Sequence, residues 1–130
     1  MSATTGETDL QRLLAGLKPA LALRPRAFRT QAHDAPLPAD ALLLFREDEG
    51  TTVIVEDDNA DPAWAQITLR IHSSLDAVGM MAAISAALAG VGIPCNVVSA
   101  YYHDHLFVPW AKRDAALAAL RTLSARIERR

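Results

Sequence analysis

Several absences bound what this 130-residue chain can be. A single cysteine, Cys95, excludes an internal disulfide and any zinc site closed by cysteines, and it fits a reducing, cytoplasmic setting. Charge of one sign is missing too: 13 Lys and Arg stand against 15 Asp and Glu, for a net charge of −2. A nucleic-acid binder that neutralises phosphates would gather its cations on one face, so that class is set aside. No long apolar run exists. The most apolar stretch, 78–98, is broken by Gly90, Gly92, Pro94 and Asn96, so a membrane span of ~20 apolar residues is not expected. Residues 1–9 are polar and acidic, which argues against a signal peptide. Catalytic signatures are absent as well: there is no Gly-x-Ser-x-Gly elbow and no glycine loop to cradle phosphate. The chain is therefore expected not to be an enzyme and to carry no cofactor.

Half of the residues are apolar, enough for a core without staples. Leu10, Leu13, Leu14 and Leu17 recur at helical spacing, with Thr8 or Asp9 as cap and Pro19 beyond the end. Residues 20–23 and 27–30 predict a hairpin around Arg24-Pro25-Arg26. Residues 39–46 predict a short helix stopped by Gly50, and β-branched Thr51–Val55 a strand. The polar run 56–62 marks a boundary. Beyond it, 65–72 alternates with period two, so Ile67, Leu69 and Ile71 share a face. Ser73-Ser74 is expected to open a helix from Leu75 to Gly90, with Ser74 as N-cap. A strand over 93–102, a turn at His103-Asp104-His105, a returning strand over 106–109 and an amphipathic helix over 112–129 complete the chain.

Two halves follow, 1–62 reading αββαβ and 63–130 reading βαββα. The second is the same cycle as the first, begun one element earlier. Residues 14–19 echo 88–94, and 40–46 echo 114–121. Each half lacks one strand of a ferredoxin-like βαββαβ unit. The gap predicts either a strand shared between the halves or completion by a second chain, and a homodimer is expected. The fold class is α+β, with antiparallel sheet and helices on one face.

Three runs carry a family resemblance: 72–79 (His-Ser-Ser-Leu-Asp-Ala-Val-Gly), 92–98 (Gly-Ile-Pro-Cys-Asn-Val-Val) and 101–109 (Tyr-Tyr-His-Asp-His-Leu-Phe-Val-Pro). The chain resembles small bacterial proteins with two tandem ACT-like halves. Its second half is similar to the ACT module of arginine sensors of the CASTOR type and, more distantly, of aspartate kinases. Residues 45–50 extend the likeness into the first half. The resemblance implies amino-acid binding and allosteric control, with the ligand at an interface between ACT units. It does not name the ligand, and the alternative reading is a structural or protein-interaction module that associates through its sheet edges without binding a ligand.

From the residues themselves, a strand-to-helix junction at His72-Ser73-Ser74-Leu75 offers unpaired N–H groups and the positive end of a helix dipole to an anion such as a carboxylate. Val78 and Gly79 lie one turn into that helix, where Gly79 permits close approach of a ligand or a neighbouring backbone. Two serines before a helix also serve as an ordinary cap, and Gly79 can serve helix packing alone. Asn96 is a candidate for orienting a ligand or satisfying backbone. The resemblance adds that an acidic residue matching Asp104 lies near the bound amino acid, where it could pair with an ammonium or guanidinium group. His103 and His105 with His72 suggest a metal site, but an i, i+2 pair at a turn is common and no third ligand can be placed from sequence, so no metal is expected. Cys95, among Ile93, Val97 and Val98, reads as a core residue rather than a nucleophile. Glu47-Asp48-Glu49 and Glu56-Asp57-Asp58 read as solvated loops, and Trp64 and Trp110 as packing anchors.

Overall fold

A computed structural model describes residues 6–128. Helix α1 spans Leu10–Ala15, and the Asp9 side chain caps it by accepting from the Arg12 amide. Strand β1 (Pro19–Leu21) and strand β2 (Arg26–Gln31) follow, then β3 (Leu43–Arg46), β4 (Thr51–Glu56) and β5 (Trp64–Leu69). The second half adds α2 (Met80–Ala89), β6 (Asn96–Ser99), β7 (Asp104–Pro109), a 3-10 turn at Trp110–Lys112 and α3 (Arg113–Glu128). The expected end of the last helix, Arg129, lies outside the described residues.

All strands join one antiparallel sheet in the order β3-β4-β2-β5-β7-β6, with β1 also paired to β5. Strand β5 is the organising element. Ala65, Ile67 and Leu69 are fully buried against the helices, while Trp64, Gln66 and Thr68 face the other way. The helices α1, α2 and α3 contribute Leu13, Ile84, Leu88, Ala116 and Leu120 to the same core, so this part of the fold is a sheet with helices on one face. The α3 stripe expected at Leu117, Leu120, Leu123 and Ile127 faces this core, with Ala116 and Leu120 buried deepest.

Two expectations for the first half are corrected. Segments 20–23 and 27–30 do not form a hairpin with each other. Instead β1 pairs with the far end of β5 (Leu21 opposite Ile67), and β2 pairs with β4 and touches β5 at Arg26 opposite Trp64. Arg24-Pro25 is thus a bend between two segments that run along one side of β5. Pro25 supplies no N–H to a hairpin ladder, while its carbonyl accepts from Asp57 N at 3.1 Å. Residues 39–46 do not form a helix either. Their apolar part is only Leu42–Phe45, too short to present helical periods, and Arg46 already lies opposite Thr51 in a hairpin. Glu47 N donates to Gly50 O at 2.9 Å, and a Cβ on Gly50 would stand 2.8 Å from Gln31 O. That hairpin uses the second edge of β4, a β-branched strand already paired to β2. The likeness of 40–46 to 114–121 is therefore one of composition, since the first is largely strand and the second helix.

The missing strand of the second half comes from within the chain. Strands β5, β7 and β6 with helices α2 and α3 supply βαββα, and β1 lies antiparallel on the free side of β5, where a fourth strand belongs. Helix α1 packs beside α3, and Ser124 Oγ donates to Ala15 O at 2.8 Å. The N-terminal helix and strand thus complete the unit formed by the C-terminal half. Replacing fully buried Leu13 by Ala is expected to lower stability by about 2–5 kcal/mol in urea titrations. The loss should register in the near-UV signal of Trp110, which packs on the same core.

Candidate functional site

The loop between β5 and α2 departs from its expected form, and the departure makes the site. Ser74 is not the N-cap. It closes a separate turn, with Asp76 N donating to Ser74 Oγ at 3.1 Å and Ala77 N to Ser74 O at 3.0 Å. The helix begins one turn later, at Met80. Its N-cap is Gly79 at φ 94°, with no side-chain cap and no acidic residue in the first turn. Ala83 N is the first amide to reach back, to Gly79 O at 3.1 Å. The amides of Met80, Met81 and Ala82 therefore lack helix carbonyls and carry the positive end of the dipole. Gly79 is required by its backbone: any other residue at this φ is strained, and a Cβ would also stand 3.3 Å from Leu10 Cδ2.

The opposite wall is the end of the β6–β7 hairpin. The expected turn at 103–105 is displaced: the reversal occurs at 100–103, where Ala100 N donates to His103 O at 3.0 Å. Asp104 and His105 therefore open β7, and the strand pleat sends them to opposite faces. Asp104 lies 6% exposed on the helix side, where Ser73 Oγ donates to its Oδ2 at 3.1 Å. A cleft of about 170 Å³ lies between these walls, lined by Ser73, Ser74, Leu75, Gly79, Asp104 and the first turn of α2.

Of the candidate residues, Ser73, Ser74, Leu75, Gly79 and Asp104 come together there. His72 stands beside it, its ring 5.6 Å from that of Tyr102. Val78 points outward, 82% exposed. Asn96 is exposed at the far end of β6, opposite Phe107, and does not line the cleft. Sequence reasoning missed Met80–Ala82, Ser99 and Ala100, because it began the helix and placed the hairpin turn a few residues off. It also missed the N-terminal segment. Glu7 N donates to His72 O at 2.8 Å and Ser74 N to Glu7 O at 2.9 Å, pinning the loop from outside. Gly6 is the one signal for this contact, since a Cβ there would sit 2.5 Å from His72 O.

On the other face His105 joins a polar chain. Buried Arg26 pairs with Glu56 at 3.1 Å and donates through Nε to Gln66 Oε1 at 3.0 Å. That contact orients the amide, so Gln66 Nε2 faces Thr68 Oγ1 at 3.0 Å and His105 Nδ1 at 3.3 Å. The Thr68 hydroxyl lies 2.9 Å from the same nitrogen. An amide NH₂ only donates, so Nδ1 accepts and the ring proton resides on Nε2. Burial, with His103 nearby, lowers the pKa of His105 below the ordinary histidine value, Asp104 opposing and Arg70 adding to the fall. Among the described residues no three His, Cys, Asp or Glu side chains gather as metal ligands. Cys95 is half-buried and its thiol pKa is raised by that burial.

Comparison with known proteins decides the family. An ACT-domain model matches residues 53–122, more than half of the chain, and a second ACT-domain model matches residues 5–68. The chain belongs to the ACT-domain family. The two matches of this ACT protein overlap over 53–68, the stretch holding most of β4 and most of β5. Among solved structures it is similar to a Vibrio cholerae protein of unknown function described as a possible transport protein. That protein is 35% identical, with a TM-score of 0.70, over 85% of this chain and 92% of the other. It shares its fold with the regulatory subunit of aspartate kinase from Thermus thermophilus, at 12% identity and a TM-score of 0.62, over 83% of this chain and 97% of that one. An Agrobacterium tumefaciens protein does likewise, at 18% identity and a TM-score of 0.62, over 78% and 84% of the two chains. No curated protein sequence matches the chain. No helix among the described residues is long and apolar enough to cross a membrane.

Two outcomes follow for this ACT protein. Replacing Ser73 by Ala leaves the buried Asp104 carboxylate without its hydroxyl donor and is expected to cost about 1–3 kcal/mol in chemical denaturation. The lowered pKa of His105 means that the unfolded chain takes up its proton first as pH falls. The stability this residue contributes is therefore present above the usual histidine pKa near 6.5 and is lost as pH drops toward the folded value. Denaturation midpoints of His105→Gln and the parent, compared from pH 7.5 to pH 5, should show the parent losing more.

Proposed function

We propose that this ACT-domain protein is a non-catalytic regulatory module that binds a free amino acid in the cleft between Asp104 and the first turn of α2. The observation that carries the reading is the opposition of two charges suited to a zwitterion. A buried carboxylate stands on one wall and an uncapped helix N-terminus on the other. The α-carboxylate would take the free amides of Met80–Ala82, and the α-ammonium would pair with Asp104, steadied by Ser73. Ser74 and Leu75 would line the side-chain end, and Gly79 would keep the backbone within reach of the ligand. His72 and Asn96 are not assigned contacts with it. A volume of about 170 Å³ suits a single small amino acid. Regulation is supported by the family and by the fold shared with an aspartate kinase regulatory subunit.

A homodimer belongs to the same proposal. Leu75, Val78, Tyr101 and Tyr102 stand around the cleft with 55%, 82%, 49% and 63% of their surfaces exposed. A second copy seated on this rim would close the ligand in and give Val78 its role, at the boundary between the 63–130 units of two chains. Ligand binding would then shift the dimer equilibrium by its differential affinity for the two states.

Single amino acids at millimolar concentration should be tested for their effect on the melting temperature of the purified chain. One of them should raise stability with dose, by about 2.7 kcal/mol at a hundredfold excess over Kd. Asp104→Asn, with its fold checked by circular dichroism, should weaken that amino acid by at least tenfold. A flat panel, or an unchanged affinity in Asp104→Asn, would remove the cleft from ligand binding and favour association with a protein partner.

A further inference from the structure

We propose a second small-molecule site on the helix-free face of the sheet, for a largely apolar, ring-sized molecule ending in one hydrogen-bond-accepting oxygen. The sheet curls so that its two edge strands face each other without pairing. Leu43 of β3 and Val98 of β6 line the same cavities, although β3 and β6 are the opposite ends of the strand order. Two adjoining hollows of about 270 and 470 Å³ share those two residues. Their floor is aromatic and aliphatic. Phe107 and Phe28 meet edge-to-face at 5.2 Å, and Phe28 meets Trp64 at 5.7 Å. Phe45, 65% exposed, stands at the lip. Apolar walls with few convergent polar groups are the usual make-up of a small-molecule pocket.

The polar chain beneath supplies the specificity. Arg26 can only donate, and that fixes the Gln66 amide. The amide in turn fixes Nδ1 of His105 as acceptor, which leaves a proton on Nε2. His105 lines the smaller hollow, and its Nε2–H has no partner among the described residues. Gln66 has no spare hydrogen, since both are turned to Thr68 and His105. The smaller hollow therefore offers one side-chain donor, Nε2–H, amid apolar surface, and an acceptor oxygen on an apolar body complements it. Burial disfavours the charged imidazolium, so an uncharged oxygen such as a carbonyl suits the site better than a carboxylate. Asp104, the acidic group of the amino-acid cleft, lies on the other face of β7, so the two sites can be tested separately.

Benzamide and toluene serve as probes, the same ring with and without the carbonyl, titrated into the isotope-labelled full chain and followed by NMR. Benzamide is expected to give saturable millimolar-range shifts at Leu43, Val98 and Phe107 and to move the His105 Nε2 resonance. Toluene should map to the same residues at least tenfold more weakly. Val98→Trp, which fills the hollow from an edge strand, should abolish both responses, and His105→Phe should erase benzamide's advantage. The proposal is overturned if neither probe saturates at these residues or if the two bind equally. It is also overturned if benzamide maps to Asp104 and Gly79 instead, or if the same resonances respond only to protein concentration, which would give the face to a second copy.

Discussion

A buried strand must find hydrogen-bond partners for both of its edges, because an unpaired amide or carbonyl away from water costs about as much as a lost hydrogen bond. Strand β5 is the place where this demand shapes the molecule. Its inward residues Ala65, Ile67 and Leu69 are sealed from solvent by three helices, so its backbone cannot be left open. One edge goes to β7. The other is divided between β1, from the start of the chain, and the end of β2. That division draws α1 onto α3 and sets β4 and β3 outward on the far side. The two ACT-like halves are consequently interlocked through a common strand, and the unit of the second half is whole only with residues 10–21 in place.

The cleft follows from the same arrangement at one remove. Because β5 ends at Leu69 and α2 does not start until Met80, ten residues must cross the end of the sheet. They do so through turns that leave the helix N-terminus bare, and the hairpin of β6 and β7 brings Asp104 to face it. A helix begun at Leu75 behind a Ser74 cap, as sequence pattern suggests, would have paired the Met80–Ala82 amides with the carbonyls of Asp76–Val78. The absence of a cap on a ten-residue helix in the body of the protein is the local irregularity that the functional reading rests on.

Much of the second half was legible in sequence because its signals are strong and agree with one another. The alternation of 65–71, the glycines after Leu88 and the stripe through Leu120 each specify one element, and the family likeness pointed the same way. Ser73, Ser74, Gly79 and Asp104 were readable as a group for that reason. The first half was less so. Leu42–Phe45 is a short apolar run whose state depends on β4 lying alongside, and a pattern without that partner reads equally well as helix. Arg24-Pro25-Arg26 looks like a hairpin turn until β5, forty residues on, claims β1. Asn96 has the chemistry to orient a ligand, but the strand carries it away from the cleft. The polar chain from Arg26 to His105 joins residues 40 and 39 positions apart at its two steps, and nothing local announces it.

The parallel bridge between Glu7 and Ser73 ties the cleft's loop to the residue two before the Asp9 cap of α1. The backbone that would move to admit a ligand is thereby coupled, over a few covalent bonds, to a helix packed on α3 at the opposite end of the sequence. Such a linkage works as a lever with a short arm. A displacement at Ser73 would reach the α1–α3 seam through the Glu7–Asp9 backbone rather than through the sheet. The outer surface of that helix pair is thus a natural face on which occupancy of the cleft would be read.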